Sequence, residues 1–77
     1  MIATLDTYQN GQLGIVKNVA GHPLAAKMTE MGIFAGQELK VLFRAPLGDP
    51  IAVDMDGYVL SLRLSEAKLI EMEGRFY

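Results

Sequence analysis

The chain has 77 residues, 51% of them hydrophobic and 21% charged, which is enough for one small domain and too few for a second. At this size only about 60% of the unfolded chain's surface can be buried, which argues against a deep enclosed catalytic chamber. The absence of cysteine excludes disulfide scaffolds and thiolate metal sites, and a net charge of −2 with evenly spread lysines and arginines leaves no basic stripe to displace counterions from nucleic acid.

No apolar run approaches the ~20 residues of a membrane helix, and the opening Met1, Ile2, Ala3, Thr4, Leu5, Asp6 has no basic leader region. A soluble cytoplasmic chain is expected, one domain over residues 1–77 with 74–77 as a short tail. Residues 12–19 predict a strand with Leu13, Ile15 and Val19 on its apolar face. Between 22 and 31 the period changes. Leu24, Met28 and Met31 fall at i, i+4 and i+7, one stripe of a helix over about residues 23–31. His22 precedes the helix and Pro23 suits its first turn. Gly32 is placed as the left-handed residue after the helix, with Ile33 closing a Schellman motif.

Residues 37–43 predict a strand with Leu39, Val41 and Phe43 inward. The strongest local signal follows: Asp56-Gly57 between residues 51–55 and 58–64 marks a two-residue type I′ hairpin. That turn sets Met55 opposite Tyr58, Val53 opposite Leu60 and Ile51 opposite Leu62, all on one face. The other face, Ala52, Asp54, Val59, Ser61 and Arg63, is mostly polar and suited to water. Ser65 is placed to cap a helical turn in which Glu66 favours the dipole, and residues 69–72 make a closing strand. Four or five short strands with glycine-rich connections indicate a small bent sheet or barrel.

No pair of residues is arranged for catalysis. His22 is the one histidine, and Asp54 and Asp56 flank a turn, where short polar side chains serve the backbone. A transition-metal site lacks ligands, since one His and no Cys are present. Met28, Met31, Met55 and Met72 sit at apolar phases and read as core filler. A loosely specified cation site from Asp49, Asp54 and Asp56 is the remaining metal option. Gly11 and Gly14 precede a strand, so they form no phosphate loop. The segment left over is Arg44, Ala45, Pro46, Leu47, Gly48, Asp49 and Pro50. Its two prolines stiffen it and place Leu47 at its tip, as in a preorganised contact loop. The outer helix face at Lys27 and Glu30 is the second candidate surface.

Met31-Gly32-Ile33 with Ala35-Gly36, then Ala45-Pro46-Leu47-Gly48-Asp49-Pro50-Ile51, then Leu60-Ser61-Leu62-Arg63 with Glu66-Ala67 resemble the FeoA family of small ferrous iron transport proteins. The resemblance runs from about Leu5 to Glu73 and departs from the commoner pattern at Phe34, where proline often stands. It implies a mainly β, SH3-like small barrel of about five short strands with one inserted helix. It further implies a cytoplasmic accessory without catalysis of its own, which binds and modulates the cytosolic GTPase region of the FeoB-type membrane transporter. The same module ends metal-dependent repressors resembling the diphtheria toxin repressor. A chain starting at Met1 without a helix-turn-helix fits a free-standing accessory better. The alternative function is a direct iron(II) or transition-metal carrier or sensor. No tightly bound cofactor and at most weak Fe(II) binding are expected.

Overall fold

The hairpin forms as its turn chemistry dictates. In the structure, a computed structural model that describes residues 2–21 and 23–74, strands β4 (Ile51–Met55) and β5 (Tyr58–Leu62) pair antiparallel in the expected register. Asp56 and Gly57 take φ of 52° and 86°, the two left-handed residues that a type I′ turn requires. The face it presents is buried at one end only. Ile51, Val53 and Leu62 are fully buried, whereas Tyr58, at the turn end of that row, is 71% exposed. Ala52, expected to face water, is buried instead.

Before the hairpin come β1 (Ile2–Thr4), a 3-10 turn (Leu5–Thr7), β2 (Leu13–Val19), helix α1 (Leu24–Glu30) and β3 (Glu38–Arg44). After it come α2 (Leu64–Ala67) and β6 (Ile70–Gly74). All neighbours are antiparallel, in the order β1-β6-β2-β3-β4-β5. The sheet thus has six strands where about five were expected, because β1, only three residues long, is too short for alternation to show. Extents of 29 × 28 × 23 Å require the sheet to curl, since a flat one would be a single strand thick.

Two bulges contribute to the bending, one in β3 and one in β2, and two predicted faces differ from expectation. In β3 the register slips between Val41 and Phe43, so that Phe43, expected inward with Leu39 and Val41, is 57% exposed. An extra residue reverses the alternation beyond it. In β2 the buried positions are Gly14 and Val16, not Leu13 and Ile15, which are half-buried. A slip between Val16 and Asn18 sets Val19 opposite Ile70 and returns it to the core side, where it packs.

Helix α1 carries the predicted stripe, with Met28 fully buried and Leu24 and Met31 packed against the core. Its bounds are tighter than expected, and Pro23 is its N-cap. Gly32, at φ 92°, donates to the Thr29 carbonyl at 3.0 Å, and Ile33 N–H reaches the Met28 carbonyl at 2.8 Å. That bond pair is a Schellman motif, and Ile33 and Met28 share the core. The four internal methionines all lie in or against that core. His22, expected at the helix start, and residues 75–77 of the tail lie outside the described residues, whereas Gly74 ends β6. No helix among the described residues is long and apolar enough to cross a membrane.

Candidate functional site

The segment between β3 and β4 is held at both ends and bare at its tip. Ala45 N–H donates to the Pro50 carbonyl at 3.0 Å, and Gly48 N–H to the Ala45 carbonyl at 2.7 Å. The Asp49–Pro50 peptide is cis. The Asp49 carboxylate accepts the Leu64 N–H at 2.9 Å, satisfying a donor at the start of α2 that has no partner within the helix. Leu47 is 96% exposed. A sizeable apolar side chain standing in water on an already ordered backbone loses little conformational entropy on docking.

The sequence candidates divide. Arg44 turns inward: its Nη2 donates to the Asp6 carbonyl at 2.6 Å and to the Tyr8 carbonyl, which latches the 3-10 turn and the residue after it to β3. Ala45 and Gly48 are half-buried, while Pro46, Leu47, Asp49, Pro50, Lys27 and Glu30 are exposed. The tertiary fold brings one residue of the predicted helix face and two of the loop together, and leaves Glu30 and Leu47 outside. Lys27, Asp49, Pro50, Ser61, Arg63 and Glu66 line one open cleft of about 490 Å³, with the loop on one side and α1 on another. Ser61, Arg63 and Glu66 were not among the predicted contact residues, although the sequence placed Ser61 and Arg63 on the hairpin's polar face and Glu66 in the helical turn after it. The return of Glu66 to the Arg63 N–H was legible in the spacing, because Glu66 stands three residues after Arg63, as a side chain that returns to its helix start does.

Glu66 organises this cleft. Its Oε1 accepts the Arg63 N–H at 2.9 Å and its Oε2 lies 3.3 Å from Lys27 Nζ. Arg63, not Ser65, is therefore the N-cap residue of α2. The Arg63 N–H bond, helped by Lys27, holds the Glu66 carboxyl below its ordinary value although burial pushes it up. A depressed folded-state pKa means that this stabilisation is present above the ordinary carboxylate range and is lost as pH falls through the folded value. Glu66→Ala is expected to cost about 1 kcal/mol at neutral pH. In urea melts the gap from the parent should close as the pH is lowered through the carboxylate range. A gap independent of pH would mean that Glu66 acts by packing.

The three aspartates weighed as a cation site have separate tasks. Asp54 Oδ1 accepts the Gly57 N–H at 3.0 Å, Asp56 accepts from Gln37 Nε2 at 3.3 Å, and Asp49 serves α2. Among the described residues no three His, Asp or Glu side chains gather as a group able to hold a metal ion.

One curled antiparallel sheet of six short strands, with its helices in the connections, defines a small SH3-like domain. The FeoA domain family matches residues 3–74, and the chain belongs to that family, which is associated with ferrous iron transport. The chain is 35% identical to a FeoA-like protein from Clostridium acetobutylicum, covering 99% of this chain and 90% of that one with a TM-score of 0.90. It is 36% identical to the FeoA protein from Chlorobium tepidum, covering 94% and 70% with a TM-score of 0.87. It also matches the FeoA of Stenotrophomonas maltophilia, solved with zinc and described as a procaryotic SH3 domain protein, at 26% identity, 92% and 89% coverage and a TM-score of 0.79. A comparison with curated proteins finds no match.

Proposed function

We propose that this chain is a cytosolic accessory of ferrous iron uptake that docks on the GTPase region of a FeoB-type transporter and modulates it. The 45–50 loop and the Lys27 side of the cleft form the contact surface in this reading. The observation that carries it is Leu47, 96% exposed on a backbone pinned by Ala45, Gly48 and Asp49. Membership of a family associated with ferrous iron transport supplies the process. The chemistry asked of the chain is recognition: an apolar anchor for a partner pocket at the loop tip, and a charged cleft lined by Lys27, Asp49 and Glu66 at the loop's base.

The test is a binding titration of the chain against the cytosolic domain of the transporter. Leu47→Ala is expected to change folding by no more than about 0.5 kcal/mol, as for an exposed site. Its affinity should fall about ten- to thirtyfold, or 1–2 kcal/mol, as for a modest interface anchor. Unchanged affinity would remove Leu47 from the contact. A loss of stability of several kcal/mol would make it a structural residue instead. An anaerobic calorimetric titration with iron(II) separates this reading from a direct carrier, which would give saturable one-to-one heat without the transporter domain.

A further inference from the structure

The charges of the cleft are not all matched to one another. Lys27 Nζ stands 3.3 Å from Glu66 Oε2, and Glu66 Oε1 is taken by the Arg63 N–H, so both oxygens of that carboxylate are engaged. Asp49 Oδ1 is held by the Leu64 N–H. The Arg63 guanidinium has no hydrogen bond and no ion pair among the described residues. Arg63 lines the cleft, and after the Arg63 N–H bond and Lys27 its charge also helps to lower the Glu66 carboxyl. Ser61, two residues earlier on the same extended face, adds a hydroxyl to that wall.

A planar fork of unengaged N–H donors recognises an oxyanion, either a carboxylate or a phosphate. The acidic residues of the cleft decide between the two. A phosphate would set its second charge against Asp49 and Glu66, whereas a carboxylate brings a single charge to a single unmatched cation. The cleft is open to water, so a free carboxylate gains little there. It is retained when a second contact delivers it and excludes solvent, and Leu47, at the tip of the loop whose base lines the cleft, is placed to make that contact.

We propose that the cleft receives one Asp or Glu side chain of the protein that docks on Leu47, its carboxylate accepting from the Arg63 guanidinium and the Ser61 hydroxyl. Lys27 stays with Glu66 and keeps that carboxylate turned away from the incoming one. The assignment rests on the docking reading above and adds the chemistry of the partner's surface, an apolar pocket with one acidic residue beside it.

The titration against the transporter's cytosolic domain, run at about 50 and about 500 mM sodium chloride, tests the site. Arg63→Gln is expected to bind about five- to tenfold more weakly at low salt and to lose most of the parent's salt dependence. Arg63→Lys, which keeps the charge without the fork, should recover part of the affinity. Both variants should melt in urea with the parent, because the bond to Glu66 comes from the backbone N–H of residue 63. Replacing acidic surface residues of the domain by their amides, one at a time, should find one whose effect vanishes in the Arg63→Gln background. If Arg63→Gln binds like the parent while Leu47→Ala binds more weakly, the carboxylate site is overturned and the docking reading stands. A parent that does not bind the domain removes both. Displacement of the complex by inorganic phosphate, beyond that by sodium chloride at equal ionic strength and absent in Arg63→Gln, would assign the cleft to phosphate and overturn the proposal as well.

Discussion

Gly14→Ala is expected to unfold about 15 °C below the parent, a loss of about 3 kcal/mol for a domain of this size. The residue lies in β2 where the Tyr8 ring crosses the strand. A Cβ placed there would stand 2.7 and 2.9 Å from Tyr8 Cε2 and Cζ, and closer still to the hydroxyl. Tyr8 has no room to retreat, being 3% exposed and part of the core. The carbonyl of the same residue is held by Arg44. Urea denaturation of Gly14→Ala, Tyr8→Leu and the double variant forms a cycle that isolates the contact. Most of the Gly14→Ala penalty should disappear in the Tyr8→Leu background. A fully additive double variant would show that Tyr8 is not seated over β2. The Tyr8 hydroxyl is buried without a hydrogen-bond partner, and burial, then the Glu73 carboxylate, raises its pKa. It therefore stays protonated at neutral pH and adds no ionic contribution that the cycle would have to separate.

Gly32→Val comes next in size, at about 2–3 kcal/mol, from strain at a backbone that β-branched residues do not tolerate. Gly32 sits at φ 92°, where it turns the chain out of α1 and delivers Ile33 to the core. A Cβ would also meet Met55 Cε at 3.0 Å. Met55 is flexible enough to yield, so the dihedral rather than the clash carries most of the cost. Asparagine tolerates the left-handed region better, and Gly32→Asn should retain more stability than Gly32→Val in thermal melts. Equal losses for the two would assign the effect to the Met55 contact, and a Val variant as stable as the parent would refute the Schellman assignment.

Features decided by neighbours in the chain were legible from the amino acids. Asp56-Gly57 implies its own turn because few residue pairs accept two left-handed dihedrals in succession, and the hairpin register follows from that turn. The α1 stripe and its Gly32-Ile33 ending are local in the same way, as is the stiff loop that exposes Leu47. What alternation could not foresee lies where distant segments meet. Phe43 reads as inward until a bulge, adopted only in pairing with β4, reverses its side. Val16 replaces Ile15 in the core because Tyr8 packs over Gly14, a small residue that periodicity does not weigh. The cleft is likewise non-local: Lys27 and Glu66 are 39 positions apart, and Asp49 and Leu64 are 15 apart. Such pairings depend on how the sheet curls and on which connections fold back over it. The residue pattern within one strand or helix carries no record of either.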